Sequence, residues 1–223
     1  MIAVAIDGPA GAGKSAIARR AAKALGYLYV DTGALYRALG FYVLARKADP
    51  GNAETVRRLL EDAKVRLAFA DGEQRVFLGT EDVTGRIRTA EVSMAASRIS
   101  AYPAVRSFLL SLQRDLAREN NVIMDGRDIG TVVLPQAQIK LFLTASPEER
   151  ARRRYEEMLQ KGEKADYSSV LADMKQRDYS DTHRAQSPLR QAEDALAVDT
   201  TGNTFEQSVD EIIGIIRRQL AKI

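Results

Sequence analysis

Gly8-Pro9-Ala10-Gly11-Ala12-Gly13-Lys14-Ser15 fits the spacing G-x-x-x-x-G-K-[ST]. In such a loop the glycines let backbone N–H groups curl around phosphate oxygens. Lys14 then reaches the β- and γ-phosphates, and the Ser15 hydroxyl ligates Mg²⁺. The chemistry is that of a nucleoside triphosphate. Ile2–Ile6 ahead of the loop is a continuous apolar run, as a strand buried on both faces requires. Ala16–Leu25 behind it puts Ile17, Ala21, Ala24 and Leu25 on one helical face, with Gly26 as the stop. Strand, glycine-rich loop and helix N-terminus are the context a phosphate nest needs.

Three further polar clusters follow apolar runs. Asp31-Thr32-Gly33-Ala34-Leu35-Tyr36-Arg37 comes first, with Arg37 about one and a half helical turns past the strand end. Val122-Ile123-Met124-Asp125-Gly126-Arg127-Asp128 comes next: three apolar residues and an acid resemble a Walker B strand, whose carboxylate supports Mg²⁺. Charges at the end of a buried strand need partners. Arg177-Asp178-Tyr179-Ser180-Asp181-Thr182-His183-Arg184 is the third. On a helix, Arg177, Asp181 and Arg184 share one face. Alone, that spacing equally fits a solvated helix with an ion pair. His183 lies off the face and is given no role.

The elements that must carry these clusters alternate. Ile2–Ile6, Tyr27–Val30, Val122–Met124, Ile139–Leu143 and Leu196–Val198 read as short buried strands, with helical stretches between them. That alternation argues an α/β fold with a parallel sheet and helices on both faces. Phe205–Leu220, with Val209, Ile212, Ile213, Ile216 and Leu220 at helical spacing, packs on that sheet. The stretch between the second and third strands is too long for one crossover. Val65–Phe69 and Arg75–Leu78 alternate around an Asp71-Gly72 turn signal, and Glu81–Val83 adds a short third strand. Helices follow over Ala90–Ile99 and Pro103–Arg118. Ser146 caps a helix opening at Pro147 and bearing Arg150, Arg152, Arg153 and Arg154. Residues 161–164 break it, and Tyr167–Arg177 resumes, as a lid over a triphosphate would.

With 223 residues and 45% hydrophobic content, the chain can bury one sizeable core. No run reaches the roughly 18 apolar residues of a membrane span, and the N-terminus lacks a signal peptide's pattern. Without cysteine, thiolate catalysis and cysteine–zinc sites are excluded, and a single histidine argues against a Ser-His-Asp triad or a multi-histidine metal site. These features point to the cytoplasm. A net charge of +3 is small for nucleic-acid binding, and clustered arginines among acidic residues suit a small phosphorylated ligand.

The P-loop, Asp31–Arg37, Gly85-Arg-Ile-Arg-Thr-Ala-Glu-Val92, Asp125-Gly-Arg-Asp-Ile-Gly-Thr131 and Arg177–Arg184 occur in this order. Together they closely resemble the bacterial-type cytidylate kinases (CMP/dCMP kinases), nearly end to end. The P-loop is generic; the other four motifs at this spacing are specific. The resemblance implies a nucleoside-monophosphate-kinase fold: a P-loop core of five parallel strands flanked by helices, an inserted small antiparallel β lobe, and a helical lid. The core then covers 1–36, 104–148 and 190–223, the acceptor lobe about 37–103 with its β insert about 60–98, and the lid about 150–168.

The implied reaction is ATP + (d)CMP → ADP + (d)CDP with Mg²⁺. By the resemblance, Arg37, Arg127 and Arg184 hold the acceptor's phosphate, and Arg177 and Asp181 meet the ribose. Asp128 accepts from cytosine N4, while Ser97 and Arg106 donate to O2 and N3, with Thr32 in the same pocket. Gly8 to Ser15 hold the triphosphate. Arg150, Arg153 and Arg154 close over it, and Arg153 is taken as the lid's contact. Asp125 either supports Mg²⁺ through water or orients Arg127 and Ser15. The alternatives are a kinase for another monophosphate, such as UMP, and a P-loop regulator or ATPase. A monomer without nucleic-acid or membrane partners is expected.

Overall fold

The computed structural model describes residues 1–70 and 73–223. The Asp71-Gly72 turn lies outside the described residues. In chain order the elements are β1 Ala3–Asp7, α1 Lys14–Leu25, β2 Leu28–Asp31, α2 Thr32–Ala45, α3 Ala53–Leu59, β3 Val65–Ala70, β4 Glu73–Leu78 and β5 Glu81–Asp82. There follow α4 Ala90–Ile99, α5 Pro103–Glu119, β6 Val122–Gly126, a π-helical turn Ile129–Val133, β7 Ile139–Thr144, α6 Pro147–Gln160, α7 Tyr167–His183, β8 Leu196–Asp199 and α8 Phe205–Leu220. The main sheet is parallel, in the order β2-β6-β1-β7-β8.

Every residue of β1 and β6 is buried, as the uninterrupted apolar runs require. Four of the five strands of the main sheet end on or beside an acid: Asp7, Asp31, Asp125 and Asp199 close β1, β2, β6 and β8. Helix N-termini face the carboxyl ends of parallel strands, and their partial positive charge favours carboxylates there.

The chain divides into two compact units, Leu28–Val122 and Ile2–Tyr27 with Ile123–Ile223. In the second, α1 packs against α8. Thr204 caps α8 in a reciprocal box with Gln207, and Val209, Ile212 and Ile216 face inward, as their spacing predicts. Fully burying Ile212 and Ile216 contributes about 1.5–3 kcal/mol each. The arginine-bearing helix opens where Ser146 and Pro147 predict, with the Ser146 hydroxyl accepting from Glu149 N–H at 3.2 Å. The following helix runs on to His183, past the expected stop at Arg177.

The first unit gathers Leu35, Leu39, Val43, Val56, Ile99, Val105 and Leu109 in one core. The alternating segments pair antiparallel, Val65 opposite Leu78 and Ala70 opposite Glu73, and β5 extends the sheet. Helices α2 and α4 pack closely because Gly40 has no side chain: a Cβ there would lie 2.8 Å from the Ala96 backbone nitrogen. Backbone on both sides leaves nothing flexible to yield, so at Gly40 overpacking outweighs alanine's gain in helix propensity.

Candidate active site

β1 delivers the phosphate loop. Gly8 takes φ 147°, and a Cβ there would lie 1.9 Å from the Leu143 carbonyl oxygen, so only glycine fits. Gly11 and Gly13 also have positive φ, and Gly13 caps α1. The loop therefore turns its backbone N–H groups inward ahead of a helix N-terminus. Lys14 is buried beneath it and donates to the Pro9 carbonyl at 2.6 Å. Burial, then the Arg127 guanidinium, push the Lys14 ammonium well below its ordinary value, while Asp125, Asp7 and Asp181 pull it back.

Ser15 donates its hydroxyl proton to Asp125 Oδ2 at 2.8 Å, joining the loop to the end of β6. A hydroxyl and a carboxylate side by side are hard oxygen donors and suit Mg²⁺ completed by phosphate oxygens and water. Among the described residues no group of three or more His, Asp or Glu side chains forms a cage for a metal, and a Mg²⁺ site of this kind needs none.

Two residues past Asp125, Arg127 donates from Nε to Asp181 Oδ2 at 2.7 Å. Burial alone would raise the Asp181 carboxyl, but Arg127, then Arg177 and Arg184, outweigh it and hold Asp181 below the usual carboxylate range. Arg184 is not on the helix. It is the residue that ends α7, with φ −63° and ψ 140°. Its Nε donates to the Ser187 carbonyl at 2.7 Å, and its Nη2 lies 3.9 Å from Asp128 Oδ1. The expected face of Arg177, Asp181 and Arg184 is therefore a helical pair plus a capping residue, and Arg127, Asp128, Arg177, Asp181 and Arg184 still form one cluster.

The lid arginines separate. Arg150 is buried and donates to the Ala10 carbonyl of the loop at 2.9 Å, to the Ala145 carbonyl, and with both terminal nitrogens to Asp178. Arg153 donates to the Thr200 carbonyl at 2.7 Å and pairs with Glu149, while Arg154 pairs with Glu157.

In the unit Leu28–Val122, Asp31 caps α2 by accepting from Ala34 N–H, and also accepts from Arg37 and Arg88. Thr32 opens that helix, buried. Ser97 and Arg106 meet through Ser100: the Ser100 hydroxyl donates to the Ser97 carbonyl, and Arg106 donates to the Ser100 carbonyl at 3.2 Å. The Arg106 guanidinium also lies over the Tyr36 ring, 5.8 Å from its centre.

Asp7, Arg88 and Asp178 are absent from the sequence-derived site residues. For Asp7 a signal existed: a lone acid ending a buried strand needs partners. Its two oxygens accept from Ile129 and Gly130 N–H at 2.7 Å each, tying the strand before the phosphate loop to the turn after Asp128. Burial pushes the Asp7 carboxyl up to about 6; the Gly130 and Ile129 N–H groups oppose the rise, Asp128 adds to it and Lys14 opposes it. The folded chain thus keeps a proton that the unfolded chain releases at its ordinary value of 3.8. Stability from this group is fully present below 3.8 and is lost as pH rises through about 6. Between pH 7 and pH 4 the native chain should gain about 2 kcal/mol over Asp7→Asn. Urea unfolding at both pH values measures this, and an unchanged gap would show that Asp7 does not titrate in this range.

A family model described as cytidylate kinase matches residues 4–218. The chain is 48% identical over 216 residues to the cytidylate kinase of Carboxydothermus hydrogenoformans, covering 97% of each. It is 46% identical over 223 residues to that of Streptococcus gordonii, covering 100% of this chain and 97% of the relative. A crystal structure of an uncharacterized protein from Eubacterium ventriosum superposes with a TM-score of 0.53 at 13% identity, covering 97% of this chain and 99% of the other, a likeness of fold alone.

Proposed function

The chain belongs to the cytidylate kinase family, and from that premise we propose how its residues transfer the γ-phosphoryl group of ATP to CMP or dCMP. The acceptor is itself a phosphate with a second pKa of about 6, so it is largely dianionic at neutral pH and needs little help from a base. Two anions must instead be brought in line and neutralised. The observation that carries the mechanism is the end of β6. Asp125 there accepts from Ser15 of the phosphate loop, and Arg127 two residues on pairs with Asp181.

Gly8 to Ser15 hold the triphosphate by backbone N–H groups, and Lys14 bears on the transferring phosphoryl. Its buried ammonium, disfavoured by desolvation, gains negatively charged partners when phosphate oxygens replace the Pro9 carbonyl. Ser15 would hold Mg²⁺, with Asp125 acting through water, and an ion bound there would supply charge neutralisation for the triphosphate. Arg127 and Arg184 take the acceptor phosphate in their planar forks, which bond two oxygens at once. Arg37 is assigned the same phosphate. Arg177 and Asp181 meet the ribose, and Asp128 accepts from cytosine N4. Ser97, Arg106 and Thr32 are assigned to the base. Arg153 is the lid contact with ATP in this reading, and it must leave Thr200 to serve. The enzyme works as a cytoplasmic monomer on small molecules, without nucleic-acid or membrane partners. Among the described residues no helix is long and apolar enough to cross a membrane.

The test is ADP formation with Mg²⁺-ATP against CMP, dCMP, UMP, AMP and GMP, with a blank lacking acceptor. CMP and dCMP should turn over far faster than the others, and the blank should be silent. Turnover in the blank would make the chain an ATPase, and turnover with another monophosphate alone would overturn the cytosine pocket.

A further inference from the structure

We propose that Asp31 is the resting seat of Arg37, and that Arg88 takes over this carboxylate when Arg37 moves to the acceptor's phosphate. The inference rests on the assignment of Arg37 to that phosphate.

Asp31 is 4% exposed, so its carboxylate cannot be left without a cation or a hydrogen bond. Oδ1 is committed to Ala34 N–H at the start of α2. Oδ2 receives two guanidinium groups, Arg37 Nη2 at 2.7 Å and Arg88 Nη2 at 3.1 Å. One negative charge thus faces two positive ones, and one arginine is in excess. Gln74 fixes the Asp31 backbone in place. Its side-chain amide accepts from Asp31 N–H at 2.9 Å and donates to the Asp31 carbonyl at 3.2 Å, so Asp31 does not follow a departing partner.

The two arginines are not equivalent. Arg37 folds back over the first turn of its own helix with 19% of its side chain exposed, and its buried Nε has no hydrogen-bond partner. It reaches this seat because Gly33 has no side chain: a Cβ there would lie 3.0 Å from Arg37 Nη1. Arg37 is therefore seated on Asp31 with one donor unused, and a phosphate offers it a better match for the planar fork. Arg88 sits before α4 with 55% of its side chain exposed, and already touches the same oxygen. If Arg37 left alone, Asp31 would become a buried charge without a counter-ion. With Arg88 in contact it stays paired throughout. Arg88 is thus a positioning residue that lets Arg37 move, and it need not touch the substrate.

The test is a double-mutant cycle on steady-state kinetics with CMP and ATP varied separately. Arg88→Ala should raise KM for CMP about tenfold while kcat and KM for ATP stay within about twofold. Arg88→Lys, which keeps a cation at Asp31, should restore most of the loss. In an Arg37→Ala chain, whose own KM for CMP is raised, Arg88→Ala should add nothing, because no exchange remains to be served. An unchanged KM for CMP in Arg88→Ala overturns the exchange and leaves Arg37's role intact. Equal losses from Arg88→Ala in both backgrounds also overturn it, because Arg88 then meets the acceptor directly. If Arg37→Ala leaves KM for CMP unchanged, the assignment of Arg37 fails and the exchange fails with it.

Discussion

Lys14→Met is expected to lower kcat/KM by on the order of 10³ without lowering Tm. Methionine keeps most of the volume and removes the charge. Burial is the largest influence on Lys14, and together with Arg127 it outweighs the pull of Asp125, Asp7 and Asp181. The folded chain therefore tolerates the ammonium rather than being held together by it, so removing the charge does not cost stability. In the proposed mechanism its use lies in the triphosphate, whose oxygens would offset that desolvation. Steady-state kinetics, with thermal unfolding beside them, measure both halves. A loss under tenfold would remove Lys14 from the transition state, and a fall in Tm parallel to the fall in rate would make the effect structural.

Arg127→Ala is expected to lower kcat at saturating ATP and CMP by on the order of 10³ or more. Arg127 holds Asp181 through Nε, and its terminal nitrogen Nη1 donates to the Gly126 carbonyl at 3.3 Å. The fork can therefore keep Asp181 with one edge and offer the other to phosphate. Lysine has a single point of charge and cannot do both, so Arg127→Lys should recover less than tenfold of the lost rate. Asp181 keeps Arg177 and Arg184 when Arg127 is removed, so the carboxylate is not abandoned and the fold survives. A kcat within tenfold of the native value in Arg127→Ala would limit this side chain to ground-state binding.

The parts of the fold that were legible in the sequence are those whose signals are local. The apolar runs of β1 and β6, the Gly26 stop of α1, the Ser146-Pro147 start of α6 and the alternation of Val65–Phe69 each declare an element within a few residues. The destinations of the arginines are not local. Arg150 meets Asp178 and Arg127 meets Asp181 across the second unit, and Arg88 meets Asp31 from the other side of the β insert. A guanidinium at the end of a long, flexible stem pairs with whichever acid the tertiary fold brings near, and spacing along the chain carries no trace of that choice. For the same reason Arg153, the sequence's lid contact, is found on Thr200, while Arg150 is the one that touches the phosphate loop. Arg184 is a different case. The helical face drawn through Arg177, Asp181 and Arg184 reaches one residue past the helix end, and the backbone turn at that residue redirects its side chain to Ser187 and Asp128.

Arg150 also determines how α6 and α7 respond to force. It clamps the start of α6 to the Ala10 carbonyl and to Asp178 on α7, while residues 161–166 form the short connection at the opposite end of the pair. The hairpin is a lever with its fulcrum at the phosphate loop and an arm of about 15 Å from Arg150 to Gln160. A slight rotation at the fulcrum, such as a change in the loop carbonyl that Arg150 grips, is multiplied into a swing of the far end. A ligand that shifted the Ala10 carbonyl would act on that arm through the Arg150 guanidinium.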